Sequence, residues 1–245
     1  IDRLGEDVLE LADAERTRDD YLALLTALDA NGLTSDAEVS VKLSAVGQAL
    51  PGDGEKIALD FAHQIAAKAN AVGTTVTLDM EDHTTTDSTL AIVRELRKEF
   101  PSVGAVIQAY LYRSEADCRD LAYEGSRVRL CKGAYKEPED VAYQSKHEVD
   151  LAYVRCLKIL MAGKGYPMVA SHDPRLVDIA QSLAIHNDRA KGSYEHQMLY
   201  GVRPEEQQRL ADSGEKMRVY IPYGEDWYGY MVRRMAEKPA NMGLF

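Results

Sequence analysis

Two adjacent arginines near the carboxyl end, Arg233 and Arg234, share a helix face with Tyr230 and Glu237. At about 100° per residue, Arg233 falls roughly 60° to one side of Tyr230, Arg234 roughly 40° to the other, and Glu237 within about 20°. Trp227 lies near the edge of that face. Two guanidiniums under a phenol suit a small carboxylate, which arginine grips through paired, charge-assisted hydrogen bonds. A solvent-facing helix laced with Arg–Glu pairs three and four apart accounts for the charges as well. Such a helix has little need of Tyr and Trp. The face reads as a carboxylate clamp, with Glu237 holding one arginine in position.

A second set of reactive groups sits where short β-rich runs end. Lys42 ends one run, and Asp79 ends another, followed by Met80, Glu81, Asp82 and His83. Gln108 interrupts an apolar run, Arg127 and Arg129 alternate along the next, and Lys132 and Gly133 follow at its exit. Ser171-His172 and Tyr220 end two more. Any one of these groups, taken alone, is more often solvated or salt-bridged than catalytic. Burying them is costly unless they find partners, so their convergence implies a polar pocket. That pattern says enzyme without saying which. A strand-end lysine, Lys42 or Lys132, leaves Schiff-base lyase chemistry open, and a barrel that only binds a small carboxylate is a third reading.

The elements that must position these groups alternate. β-rich runs fall at residues 39–43, 75–79, 105–110, 127–131, 167–170, around 192–196, and 216–222, with helical periodicity between them. Over 57–72, Ile57, Phe61, Ile65 and Ala69 recur four apart, and over 88–100, Leu90, Val93 and Leu96 recur three apart. Strand–helix alternation implies a parallel sheet covered by helices. Neither G-x-G-x-x-G nor G-x-x-x-x-G-K-[ST] occurs, which weakens the doubly wound alternatives. The expectation is a (β/α)8 barrel spanning 1–245 as one domain, its first strand lying upstream of residue 1. Active sites of such barrels are built at the C-terminal strand ends.

Composition narrows the partners. A net charge of −11 argues against nucleic acid. No run approaches eighteen apolar residues, so no membrane-spanning helix is expected. Cys118, Cys131 and Cys156 are too few and too dispersed for a zinc site or a disulfide framework, which fits a reducing, cytoplasmic setting. The start at Ile1 reads as a fragment boundary or the beginning of an ordered region.

The segment 223–241, YGEDWYGYMVRRMAEKPAN, resembles the carboxyl-terminal signature of the proline dehydrogenase family. Val41-Lys-Leu-Ser44, Leu78-Asp-Met-Glu81, Val106-Ile-Gln-Ala-Tyr110, Arg129-Leu-Cys-Lys-Gly-Ala-Tyr135 and Ser171-His172 resemble its other blocks, in order. Asp2-Arg-Leu-Gly-Glu6 resembles the segment just after the family's first strand. The match spans essentially the whole chain. Spacing points to the monofunctional bacterial type, and the chain is also similar to the proline dehydrogenase domain of proline utilization A.

The resemblance implies a (β/α)8 barrel that binds FAD and oxidises L-proline to Δ1-pyrroline-5-carboxylate, the first step of proline catabolism. Electrons would pass to a quinone, with weak peripheral contact at the inner membrane face. It implies that Arg233 and Arg234 clamp the substrate carboxylate with Lys42 as a third cation, and that Tyr220 and Tyr230 pack on the substrate ring. Asp79 would organise Lys42 or an arginine beside the substrate, and Arg129 would act on the flavin next to N5. Gln108, Lys132, Gly133, Ala134, Tyr135, Met80, Ser171 and His172 would complete the flavin site. Glu6 would pair with Arg233 to close it, and Glu237 would lie behind the clamp. Cys131, Lys136, Gly229 and Met231 depart from the family's common residues.

Overall fold

The computed structural model describes residues 1–228 and 230–232. Parallel strands alternate with helices: β1 (Asp2–Arg3), α1 (Leu11–Ala30), β2 (Val39–Val41), α2 (Gly54–Ala71), β3 (Val76–Leu78), α3 (Thr86–Leu96), β4 (Ala105–Gln108) and α4 (Ser114–Leu121). They continue with β5 (Arg127–Cys131), α5 (Lys146–Ala162), β6 (Tyr166–Ala170), α6 (Pro174–His186), β7 (Glu195–Leu199), α7 (Pro204–Asp212), β8 (Met217–Tyr220) and β9 (Pro222–Tyr223).

The strands pair in the orders β3-β2-β1-β9 and β4-β5-β6-β7-β8. Two seams join these groups. β8 and β9 are one run broken only at Ile221, the first part pairing with β7 and the second with β1. At the other seam the Gly104 amide donates to Val76 O (2.8 Å) and Leu78 N donates to Gly104 O (3.0 Å). A Cβ on Gly104 would lie 2.4 Å from Thr77 Oγ1, so the close approach there needs glycine. The pairing thus runs around eight strand positions, and the architecture is the expected (β/α)8 barrel.

One expectation is corrected. The first strand position, expected upstream of residue 1, is filled by β1, which pairs with β2 through Asp2↔Ser40 and with β9 through Asp2↔Pro222. Two residues carry no readable alternation, and Asp2-Arg3 lacks the apolar character that marks a buried strand. β7 also begins later than expected, at Glu195. Gly192 turns the chain at φ 81°, and Glu195, His196 and Gln197 disguise a buried strand as polar loop.

Strand alternation explains the barrel's two faces. Val39, Val41, Val76, Leu78, Ala105, Ile107, Val128 and Leu130 belong to one apolar core with Ala58, Ala62 and Ile65 of α2 and with Tyr153, Leu157 and Leu160 of α5. The alternate positions are polar: Glu38, Ser40 and Lys42 about β2, Arg127 and Arg129 on β5, Glu195 and Gln197 on β7, Arg218 and Tyr220 on β8. These reach one another across the bore, as the bonds Arg127–Glu38, Arg129–Gln197 and Arg218–Glu195 require. Barrel interiors are commonly filled with branched apolar residues; here a hydrogen-bonded ionic network shares the bore with Val106 and Met168, which lie in register with Arg129. Helix ends are set locally. Ser145 caps α5 by accepting from Glu148 N (3.2 Å), and Asp173 caps α6 ahead of Pro174.

Candidate active site

The C-terminal ends of β2, β3, β5 and β8 place four expected residues in two linked clusters. Asp79 accepts from Ser40 Oγ (2.8 Å), from the Tyr220 hydroxyl (2.8 Å) and from Arg129 Nη1. Arg129 also donates through Nη1 to Ser40 Oγ (2.9 Å) and through Nε to Gln197 Oε1 (2.7 Å), and its guanidinium lies 5.2 Å from the Tyr220 ring centroid. Burial alone would lower the Arg129 pKa; the Asp79 carboxylate and then Tyr220 outweigh it, so the net shift is upward and the cation stands. Burial, reinforced by Asp2 and Asp79, pushes the Tyr220 phenol well above its ordinary value and keeps it a donor. Among the described residues, Arg129 is the arginine bonded to Asp79. Three donors occupy that carboxylate, which leaves it poorly suited to act as a general base.

Lys42 belongs to the neighbouring cluster. Its ammonium donates to both Asp2 oxygens at 2.6 and 2.8 Å, and burial of the amine is outweighed by Asp2 and Asp79, which hold its pKa above the ordinary value. Nucleophilic attack needs a neutral amine, so this arrangement opposes Schiff-base chemistry at Lys42. Lys42, Glu6 and Tyr230 line one cavity of about 440 Å3, together with Arg3, Asp226 and residues at the start of α1. Arg233, Arg234 and Glu237 lie outside the described residues.

The expected cofactor residues occupy the rim next door. Gln108 Nε2 donates to Glu81 O (2.9 Å) and Met80 O (3.4 Å), which fixes the amide and leaves Oε1 buried without a partner among the described residues. Gln108 pairs across the β4–β5 ladder with Cys131, two positions beyond Arg129. Gly133 takes φ 113°, where a Cβ would stand 2.4 Å from the Tyr110 ring. The same loop carries Ala134 and Tyr135 and is anchored by Glu137, which bonds His83 Nδ1, the His83 amide (2.9 Å) and the Tyr110 hydroxyl (3.2 Å). Lys132 is not isolated: Asp150 (2.5 Å) and Asp173 (3.3 Å) flank its ammonium, with Lys146 and Arg175 completing a surface ion cluster. Ser171 Oγ accepts from Asp173 N (3.1 Å), and His172 Nε2 accepts from Leu199 N (2.9 Å), which assigns the ring proton to Nδ1.

Sequence reasoning missed Asp2, Ser40, Glu195 and Gln197, the partners of Lys42 and Arg129. The only signal was polar residues at alternate positions of a strand, Glu195 and Gln197 among them, and it is visible only once β7 is correctly bounded. Glu81 is a strand-end carboxylate in the sequence, which carries no signal of its contact with Ser44. Glu81 accepts from Ser44 N (3.1 Å) and Ser44 Oγ (2.6 Å), and Ser44 Oγ accepts from Asp7 N (3.0 Å). Glu81 thereby braces the loop that carries Glu6.

Among known proteins, residues 1–244 match the model of the proline dehydrogenase family. The chain is 42% identical over 243 residues to the proline dehydrogenase of Deinococcus radiodurans, covering 98% of this chain and 78% of that protein. It is 39% identical over 241 residues to proline dehydrogenase 1 of Bacillus subtilis, with 98% and 78% covered. The crystal structure of proline utilization A from Bdellovibrio bacteriovorus, inactivated by N-propargylglycine, superposes with a TM-score of 0.87 at 30% identity. That match covers 96% of this chain but only 29% of that much longer enzyme. Proline utilization A of Bradyrhizobium japonicum, at 24% identity and a TM-score of 0.84, shares the fold. On the match across nearly its whole length and on this identity to curated relatives, the chain belongs to the proline dehydrogenase family.

Proposed function

We propose that the chain is an FAD-dependent L-proline dehydrogenase that forms Δ1-pyrroline-5-carboxylate and passes its electrons to a quinone. The observation that carries the reading is the placement of Gln108 and Arg129 on adjacent strands, two positions apart in register. Gln108 presents a buried acceptor that lacks a donor among the described residues, and Arg129 presents a fixed cation whose Nη2 makes no hydrogen bond to them. An isoalloxazine edge has one N–H between carbonyl groups and nitrogens that gain negative charge on reduction, so it fits both. FAD, when bound, supplies the acceptor for hydride from the substrate's ring carbon.

The protein's own part is orientation and electrostatics. Gln108 would fix the ring edge by accepting its N–H, and Arg129 would hold positive charge beside it, preorganised by Asp79 and Ser40. Met80, Lys132, Gly133, Ala134, Tyr135, Ser171 and His172 would complete the cofactor site, the Lys132 cluster offering cations to its phosphates. Lys42 would take one side of the substrate carboxylate, with Arg233 and Arg234 on the other. Tyr220 and Tyr230 would pack on the pyrrolidine ring. Glu6 would close the cavity against Arg233, and Glu237 would hold an arginine in place. Fixing the carboxylate at one end and the flavin at the other sets the distance between reacting atoms. Among the described residues no helix is long and apolar enough to cross a membrane.

Colour tests this directly. The purified protein should be yellow, and anaerobic L-proline should bleach its flavin absorption. Colourless protein that cannot be reconstituted with FAD would overturn the reading. Trapping of a lysine adduct by borohydride with a keto substrate would favour a lyase instead.

A further inference from the structure

Arg129 is held at two points, and the second has no role in the scheme above. At Nη1 it meets Asp79 and Ser40; at Nε it meets Gln197 Oε1 at 2.7 Å. A guanidinium is a rigid plane. Contact at Nη1 alone leaves it free to pivot about that contact, whereas a second contact at Nε fixes the plane and the direction of Nη2.

The Gln197 amide is itself fixed. Its Nε2 donates to Glu195 Oε1 at 2.6 Å. Turning the amide over would set N–H against the guanidinium and C=O against the carboxylate, losing both bonds. Glu195 does not turn either, because Arg218 Nε (2.7 Å), Arg218 Nη2 (3.2 Å) and the Tyr166 hydroxyl (2.9 Å) hold its two oxygens. Burial alone would raise the Glu195 pKa, but the Arg218 bonds and charge outweigh it, and the carboxyl lies below its ordinary value. Glu195 is fully buried and Gln197 nearly so. Solvent cannot replace either contact.

We propose that Gln197, locked by Glu195, is a positioning residue that aims the remaining nitrogen of Arg129 at the flavin ring. The inference rests on the flavin reading of the site and deepens it: the charge beside the flavin is directed from β7, by a strand that contributes none of the expected ring contacts. Gln197 reaches the cofactor only through Arg129, so its loss should alter how the flavin stabilises negative charge more than how tightly flavin or proline binds.

Sulfite adds to oxidised flavins as an anion and reads that charge stabilisation without turnover. The test titrates sulfite into wild-type, Gln197→Met and Gln197→Glu holoenzymes by flavin absorption, with FAD content, thermal midpoint, kcat and KM for proline measured alongside. Losing a hydrogen bond to a charged group should weaken sulfite binding about tenfold in Gln197→Met. The expected accompaniment is retained FAD, a lower kcat and a KM for proline close to wild type. In Gln197→Glu the new carboxyl faces Glu195 and can replace the lost donor only when the pair shares a proton. The ratio of its sulfite Kd to that of wild type should therefore rise with pH.

A folded, flavin-loaded Gln197→Met with wild-type sulfite affinity overturns the proposal. If that variant does not fold, Gln197→Glu decides, and a Kd ratio of one at every pH overturns it. Wild-type protein that takes up no flavin would instead sink the flavin reading, and this inference with it.

Discussion

Lys42 Nζ reaches both carboxylate oxygens of Asp2, at 2.8 and 2.6 Å, across the β1–β2 ladder. Both side chains are largely buried. Burial pushes the Asp2 carboxyl up against the pull of Lys42, so the pair depends on its mutual attraction to stay charged. Removing one member of such a pair strands the other. Asp2→Asn should therefore lower stability by about 3 kcal/mol. Lys42→Met should cost a similar amount, and the double variant less than the sum of the two. Urea unfolding of the three variants checks this, and strict additivity would show that the two groups do not depend on each other.

Gln108→Leu probes the cofactor edge. The substitution removes the unpartnered Oε1 and leaves the Met80 and Glu81 carbonyls without their donor. A lost hydrogen bond with stranded partners is worth about 1–3 kcal/mol, or roughly 5- to 150-fold in affinity. FAD titrated into apoprotein, followed by quenching of flavin fluorescence, should show weakening in that range. Affinity equal to wild type would remove Gln108 from the flavin site.

The barrel and its strand-end groups were legible because they follow period-two alternation within single strands. Lys42, Asp79, Arg129 and Tyr220 each end or interrupt an apolar run. Their partners were not legible, because they are brought in by barrel closure. Ser40 meets Arg129 across 89 residues and Gln197 meets it across 68. No local pattern says that the polar face of β7 will lie against that of β5. Asp2 was missed for another reason: a two-residue strand gains its place from its neighbours' hydrogen bonds and has no apolar pattern of its own. The acidic partners of Lys132 have no sequence signal either, because only the packing of α5 and α6 brings Asp150 and Asp173 to it.

Gly133→Ala tests whether the loop after β5 is shaped for the cofactor. A side chain at φ 113° is strained in its backbone, and its Cβ would overlap the Tyr110 ring at 2.4 Å. Tyr110 cannot retreat freely while its hydroxyl bonds Glu137. The loop must shift, carrying Lys132, Ala134 and Tyr135 with it. Flavin content after purification should fall while far-UV circular dichroism stays near wild type. Full flavin occupancy in Gly133→Ala would mean that the loop does not shape the cofactor site.

Glu81 gives the fold a defined pH dependence. Burial raises its pKa from the ordinary 4.5 to about 7, opposed by the two Ser44 hydrogen bonds and by Lys42, with Asp7 pushing upward again. The folded state therefore takes up this proton more readily than the unfolded chain. Below about pH 4.5 both states hold it and Glu81 costs nothing; above about pH 7 both have lost it and the cost is complete. That gap corresponds to an upper limit of roughly 3 kcal/mol, acquired as pH rises through the interval. Glu81→Gln removes the titration and keeps an acceptor for Ser44. Its stability relative to wild type should rise between pH 5 and pH 8 by up to about that amount, read as the difference in urea midpoints at each pH. A constant difference would show that Glu81 is ionised throughout, with Lys42 and the Ser44 donors sufficient to hold its charge in the barrel.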